Sequence, residues 1–307
     1  MILRIGTRGS KLALAQTRII AGMLRVRFPE LEFQEVIIKT KGDKILDAPL
    51  AKIGDKGLFV KEIDEALIRG DVDMAVHSLK DVPTEIPPEL DIVAIPERED
   101  VRAALISREG LTIDELPKGA FMGTSSLLRR ALLSNYRPDL RFLDLRGNVD
   151  TRIRKVRAGE YDAIIVAVAG LKRLGLQEHI TQILPAEPFF PAAGQGAMAV
   201  VARRDFPGNR YLKTLDDPKA RNATAAERAL LRRMGGGCQA PLGVLTFLDG
   251  ELRLKGALLS PDGRRRIYAE GTGRPEEAEA VGERVGDALL GKGGRAILEE
   301  VYGKAFI

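Results

Sequence analysis

Ile2-Leu3-Arg4-Ile5-Gly6-Thr7-Arg8-Gly9-Ser10 decides the fold class of this chain. Residues 2 to 6 read as a buried strand. The glycine-flanked turn then leads into an amphipathic helix running to about Arg27, with Ser10 as N-cap and Pro29 beyond its end. Leu12, Ala15, Ile19, Met23 and Val26 are the expected apolar stripe of that helix. A strand, a glycine turn and a helix start together make an anion-binding geometry, because the first helical N–H groups carry a partial positive charge outward. Arg8 lies in that turn. On this stretch alone it is either an anion ligand or an ordinary surface arginine.

The same device recurs further on. Ala120-Phe121-Met122-Gly123-Thr124-Ser125-Ser126 repeats strand, glycine, hydroxyls and helix start, with Arg129 and Arg130 one turn inside. Arg141 to Leu145 reads as a strand ending in Arg146-Gly147-Asn148, and Asn148 caps a basic helix bearing Arg152, Arg154, Lys155 and Arg157. Arg152 and Lys155, three apart, share one face, while Arg154 and Arg157 form a second pair that reads as solvated. Tyr161 to Val168 is a buried strand leading to Ala169-Gly170-Leu171-Lys172-Arg173. Planar guanidinium groups gathered at such turns suit small carboxylates or phosphates.

Between these units, residues 33 to 39 form a second strand, and residues 40 to 58 carry Lys41, Lys44, Lys52 and Lys56 among glycines, as a disordered segment or a lid does. No Gly-x-x-x-x-Gly-Lys-Ser/Thr spacing occurs there. A helix from Phe59 to Arg69 stops at Gly70, and Asp73 to Ser78 is a strand. Leu79-Lys80-Asp81-Val82-Pro83 leaves that strand as a loop, with an acid and a base at the carboxyl end where ligands of open α/β sheets gather. His77 lies within the strand and reads as a satisfied core histidine. With only His77 and His179 in the chain, neither a histidine triad nor a histidine metal site is expected.

Strands at 92 to 95 and 103 to 107 flank Pro96-Glu97-Arg98-Glu99-Asp100, a crossing between domains. Pro185, Pro188 and Pro191 lead to Ala193-Gly194-Gln195-Gly196, a return hinge, and then to a strand from Met198 to Ala202. Residues 203 to 217 read as a linker. Asp217-Pro218 starts a helix through Ala225, Ala229, Leu230 and Arg233 that ends in Gly235-Gly236-Gly237-Cys238-Gln239. Alternation over 244 to 259 and 265 to 272 predicts antiparallel strands, and helices follow over 275 to 290 and 294 to 302. No sequence repeat stands out.

The 307 residues, 45% hydrophobic, exceed one compact core and predict two or three domains. Formal net charge is +5, but aromatics are only 5% and tryptophan is absent, which argues against a nucleic-acid partner. The start of the chain reads as a strand with no export signal, and no apolar run spans a bilayer, so a cytoplasmic protein is expected, with an organelle form as the alternative. Cys238 is the one cysteine. Without a Cys-x-x-Cys partner it is open to inert burial, nucleophilic catalysis or covalent attachment.

Taken in order, Arg8-Gly9-Ser10, His77-Ser78-Leu79-Lys80-Asp81-Val82-Pro83, Arg146-Gly147-Asn148, Ala169-Gly170-Leu171-Lys172-Arg173-Leu174-Gly175 and Gly236-Gly237-Cys238-Gln239 make the chain resemble the porphobilinogen deaminase (hydroxymethylbilane synthase) family over nearly its whole length. The resemblance implies two α/β domains like those of periplasmic binding proteins and a smaller C-terminal α+β domain: residues 1–96 with 197–215, residues 97–196, and residues 216–307. It implies condensation of four porphobilinogen molecules with loss of ammonia, on a dipyrromethane cofactor bound by a thioether to Cys238. Asp81 matches the catalytic carboxylate. Lys80, Ser126, Arg129, Arg146 and Gly147 match cofactor-binding positions, and Arg8, Ser10, Arg152 and Arg173 match substrate-binding ones. Lys52, Lys56 and Phe59 match a loop over the site, and Gln195 its hinge. No metal, nucleic acid or membrane is implied, and the expected state is a monomer. One departure stands out, because the family's Gly-Thr-Ser-Ser-x-Arg-Arg reads here Gly123-Thr124-Ser125-Ser126-Leu127-Leu128-Arg129-Arg130. Leu128 therefore stands where the first arginine would, and Arg130 either points elsewhere or the helix register adjusts.

Overall fold

The computed structural model describes residues 1–44, 57, 60–236 and 240–303, in three sheets clothed by helices. β1 (Ile2–Thr7) runs parallel to β2 (Glu32–Ile37) and β3 (Met74–Ser78). β4 (Leu90–Ala94) and β10 (Met198–Arg203) complete that sheet in the order β2-β1-β3-β10-β4, with β10 antiparallel to both neighbours. The second sheet is built from β5 (Ala103–Ser107), β6 (Phe121–Gly123), β7 (Arg141–Leu143), β8 (Ala163–Ala167) and β9 (Gln182–Ile183). Its order is β7-β6-β8-β5-β9: β6 is parallel to β7 and β8, and β5 is antiparallel to β8 and β9. The two sheets thus share one topology, although the sequence shows no repeat. In each, the antiparallel strand lies next to a segment crossing between the sheets.

Both faces of these sheets are covered, as their near-continuous apolar strands require. α1 (Lys11–Arg27) packs Ile20, Ala21 and Leu24 against Leu3, Ile5, Met74 and Val76. The buried face of α1 differs from the expected stripe. Thr17, Ile20, Ala21 and Leu24 are enclosed, whereas Ile19 and Val26 are exposed, Val26 at 84%. The apolar residues span more than one face, and Thr17 is buried because its hydroxyl donates to Thr7 Oγ1 at 3.0 Å. α2 (Lys61–Arg69) covers the opposite face with Ile63 and Leu67, and ends on Gly70 in the left-handed region at φ 77°. α3 (Leu127–Tyr136), α4 (Val149–Arg157) and α5 (Val168–Leu174) clothe the second sheet.

β11 (Leu242–Asp249), β12 (Glu251–Leu259) and β13 (Arg266–Gly273) form an antiparallel meander. Its alternation sends Leu254 and Leu258 toward α6 (Pro218–Arg233), α7 (Ala278–Leu289) and α8 (Arg295–Tyr302), and Ala257 and Leu259 toward the α3 side of the second sheet. α6 and α7 approach closely because Gly282 has no side chain, and a Cβ there would lie 2.3 Å from Ala226 O. The stretch 203–217, read from sequence as a linker, contains a short helix at Asn209–Leu212 and a 3₁₀ turn at Lys213–Leu215; Leu212 and Leu215 join the first sheet's core. No helix among the described residues is long and apolar enough to cross a membrane.

One buried carboxylate ties the three units together. Glu227 on α6 accepts from Arg98 Nη1 at 2.7 Å and Nη2 at 2.9 Å, from Gly194 N at 2.7 Å and from Thr246 Oγ1 at 2.8 Å. Arg98 belongs to the outgoing crossing, Gly194 to the returning one and Thr246 to β11. Arg98 also donates through Nε to Gln195 O at 2.9 Å. Replacing Glu227 by alanine leaves the Arg98 guanidinium buried without its partner, so Glu227→Ala is expected to lose about 3–5 kcal/mol in urea denaturation. A loss below about 1 kcal/mol, in the range of an exposed pair, would show that the junction does not rest on this carboxylate.

Candidate active site

The cleft is lined from the carboxyl ends of the parallel strands. After β1, the turn carries Arg8 and delivers Ser10, whose hydroxyl accepts from Ala13 N at 3.3 Å and caps α1. After β6, Ser126 caps α3 in the same way, accepting from Arg129 N at 3.4 Å. After β7, Gly147 sits at φ 110°, a region other residues rarely enter. Its carbonyl accepts from Arg152 Nε at 2.8 Å and so aims that side chain. Asn148 is the N-cap of α4 by position, but its side chain makes no capping bond. After β8, Arg173 on α5 reaches back to donate to Gly196 O at the returning hinge.

After β3, residues Leu79–Asp81 form one 3₁₀ turn. Leu79 N donates to Ala197 O at 3.0 Å, fixing the front of the turn to β10's approach. Lys80 is half-buried and Asp81 is exposed to the cleft. Burial pushes the Lys80 ammonium down to about 8; Asp81 pulls it back, and Arg129, Arg152 and Arg173 push it lower. Arg129 is lowered to about 10, by burial and then by Arg152, against the pull of Asp81. Burial likewise lowers Arg152, with Arg146 adding to it and Asp81 opposing, and lowers Arg146 and Arg173. These cations came from separate motifs in the sequence, and the fold brings Lys80, Arg129 and Arg152 within electrostatic reach of Asp81, with Arg173 near Lys80 and Arg146 near Arg152.

Arg129 donates to Ile165 O at 2.9 Å and to Gln195 Oε1 at 3.3 Å. Gln195 is buried, and its Nε2 donates to Val101 O at 2.6 Å, so the hinge residue joins both crossings to a cleft arginine. The Leu128 departure resolves without a register shift. Leu128 is buried in the core of the second sheet, Arg129 faces the cleft, and Arg130 is exposed with its guanidinium 5.5 Å from the Phe142 ring. Arg154 and Arg157 are also exposed, on the outer face of α4.

A cavity of about 60 Å³ opens beside Arg8, Ser10, Gln16, His77, Ser78 and Asp81. Gln16 went unnoticed in the sequence; it is buried and donates to Ser78 Oγ at 2.8 Å. A polar residue on the buried side of α1, one step before Thr17, was its only signal. His77 is buried as expected but not satisfied: Nε2 has no hydrogen-bond partner among the described residues. Burial, then Arg8, lowers it to about 4. Lys11 and Asp150, at the starts of α1 and α4, pair at 2.8 Å across the cleft between the first two sheets. Lys52, Lys56, Phe59 and Cys238 lie outside the described residues. Gly236 lies two residues before Cys238 in sequence and packs against Thr84, where a Cβ would meet Oγ1 at 2.8 Å. Among the described residues, no group of His, Cys, Asp and Glu could hold a metal ion.

The depressed Lys80 value carries a stability signature. Its folded value lies below the ordinary 10.5, so the unfolded chain binds more protons between about 8 and 10.5, and ligand-free protein gains stability as pH rises through that window. Lys80→Met is expected to remove this gain and to raise the melting temperature at pH 7. Melting curves at pH 7 and pH 10 test it, and equal pH responses of the two proteins would refute it.

Two family models match the chain in order. Residues 3–208 match "Porphobilinogen deaminase, dipyromethane cofactor binding domain", and residues 222–291 match "Porphobilinogen deaminase, C-terminal domain". The chain is similar to the porphobilinogen deaminase of Pelobacter propionicus, with 50% identity over 98% of this chain and 97% of the relative. It is similar to that of Roseiflexus castenholzii at 51% identity, over 96% of this chain and 98% of the relative. Among solved structures it is similar to the methionine-binding protein MetQ, with TM-score 0.44 and 13% identity over 73% of this chain and 94% of that one. Matched by both models in sequence order and sharing half its residues with proteins of that name over almost its full length, this chain belongs to the porphobilinogen deaminase family.

Proposed function

We propose that this chain joins four porphobilinogen molecules head to tail on a dipyrromethane held by a thioether at Cys238, releases ammonia at each addition, and frees hydroxymethylbilane by hydrolysis for tetrapyrrole synthesis. The observation that carries the reading is the gathering of desolvated cations around Asp81.

Those cations fit the cofactor by the chemistry of their donors. Each pyrrole brings an acetate and a propionate. Arg8, Lys80, Arg129, Arg146, Arg152 and Arg173 therefore suit the several carboxylates that a two-pyrrole cofactor and an incoming pyrrole bring to the cleft. When bound, the dipyrromethane supplies the free pyrrole carbon on which the chain is built. Lys80, Ser126, Arg129, Arg146 and Gly147 are its holders in this reading, and Arg8, Ser10, Arg152 and Arg173 hold the substrate.

A cleft of arginines favours an anionic substrate but opposes the positive charge that develops as ammonia departs. Asp81 answers that opposition. Set among the cations, its carboxylate stabilises the developing charge at the pyrrole nitrogen and can take a proton there. Lys52, Lys56 and Phe59 are assigned to the cover over the cleft, and Gln195 to its hinge. The protein is read as a cytoplasmic monomer without nucleic-acid or membrane partners. Its domains are residues 1–96 with 197–215, 97–196 and 216–307, a partition supported by the shared topology of the first two sheets.

Two variants test this. Asp81→Asn is expected to fold and keep its cofactor while turnover falls at least about 100-fold; bilane formation near the parent rate would remove Asp81 from its role. Cys238→Ser is expected to show the bare chain mass by intact-protein mass spectrometry where the parent carries an added dipyrromethane. An unchanged adduct would put the attachment elsewhere.

A further inference from the structure

Arg228 sits on α6, one residue after the carboxylate that ties the junction together, and points the other way. Its Nη1 donates to Val82 O at 3.0 Å, and its Nη2 donates to Pro83 O at 2.6 Å and Thr84 O at 3.3 Å. Those carbonyls directly follow Asp81. The segment contains Pro83, Pro87 and Pro88, which lack N–H groups, and it enters no sheet or helix until β4. Its partly buried carbonyls therefore need donors from elsewhere. One guanidinium supplies them, through a planar fork that an ammonium cannot reproduce.

The Asp81 turn is thereby gripped at both ends. At the front, Leu79 N donates to Ala197 O, and Gly194 packs so closely that a Cβ there would lie 3.1 Å from Lys80 N. At the back, the only side chain reaching the carbonyls of residues 82 to 84 among the described residues is that of Arg228. Its post is rigid. α6 is capped by Asp217, which accepts from Ala220 N at 2.7 Å, starts with Pro218, and is pinned through the neighbouring Glu227. A second contact reinforces the grip, since the chain leaving α6 reaches Gly236, which packs against Thr84. The helix that leads to Cys238 therefore also holds the loop that presents Asp81.

We propose that Arg228 is a positioning residue for the reaction, fixing the turn that presents the Asp81 carboxylate to the cleft without touching substrate. The inference rests on the role assigned to Asp81. Catalysis by a fixed charge depends steeply on its placement, and a shift of about 1 Å can cost 100-fold. Substrate affinity, in contrast, comes from arginines on other elements.

The test uses full-length, cofactor-loaded protein carrying Arg228→Lys, Arg228→Met or Arg228→Ala, with loading checked by intact mass and folding by melting temperature. The expected result is a kcat lowered at least tenfold in Arg228→Met and less in Arg228→Lys, with KM within twofold of the parent. Added guanidinium ion should restore part of the kcat of Arg228→Ala. In an Asp81→Asn background, Arg228→Met should add little further loss. A kcat within twofold of the parent, whatever the melting temperature, would overturn the inference, as would a rise in KM matching the fall in kcat. If Arg228→Met does not fold, the same criteria applied to Arg228→Lys decide. Full activity of Asp81→Asn alone would instead sink the role of Asp81, so the two failures are distinguishable.

Discussion

A single carboxylate in a dry junction decides how the chain's three units meet. Glu227 accepts from both crossings and from the third sheet, and it is nearly inaccessible to water, at 1% exposed. An isolated buried charge is costly, and an ion pair repays that cost only when its geometry is good and its remaining lone pairs are filled. Here a bidentate guanidinium and two further donors fill them. The arrangement is specific because any displacement of one unit strips bonds from a group that cannot find water instead. Gln195 extends the same logic toward the cleft, with its backbone carbonyl on Arg98 and its amide oxygen on Arg129.

The cleft shows the opposite condition. Burial lowers the Lys80, Arg129, Arg146, Arg152 and Arg173 values, and neighbouring cations push Lys80, Arg129 and Arg152 lower still. Such a site is destabilising when empty, and that stored repulsion becomes affinity when carboxylates arrive. Arg129 and Arg152 lie in the first turns of α3 and α4, which adds the helix dipoles to the same field. Placing Asp81 at the end of a different strand keeps the one carboxylate shared by Lys80, Arg129 and Arg152 apart from the elements that carry those arginines. The cleft arginines and the carboxylate that stabilises charge are thus carried by separate pieces of chain.

Much of this was legible in the sequence because local rules coincide with global ones at the strand-to-helix turns. Ser10 caps the helix it was expected to cap, and the hydroxyl run before the expected helix start at 126 ends in Ser126, which caps α3. The antiparallel meander followed from its period of two. Three features were not legible. α1 carries apolar residues around more than one face, so periodicity alone could not select Thr17 and Leu24 over Ile19 and Val26. The shared topology of the first two sheets has no counterpart in sequence similarity, since strand order is set by which apolar faces meet and not by residue identity. Glu227 and Arg228 look like an ordinary charged pair on a helix; only the packed structure shows that one turns into the junction and the other toward the Asp81 loop.

The run from Leu127 to Arg130 shows how a single step along a helix reallocates function. Each residue rotates by about 100°, so neighbouring side chains cannot share a direction. α3 must bury one face against the second sheet, and Leu128 joins Met122, Ala131 and Leu132 there. Arg129, one step on, meets Ile165 O and Gln195 in the cleft, and Arg130, another step on, leaves for solvent over Phe142. Moving Arg130 into the cleft would need a rotation of the whole helix, which would expose Leu128 and Leu132 and break the Ser126 cap. The apolar face therefore fixes the register, and the register leaves one guanidinium, not two, for the carboxylates at this turn.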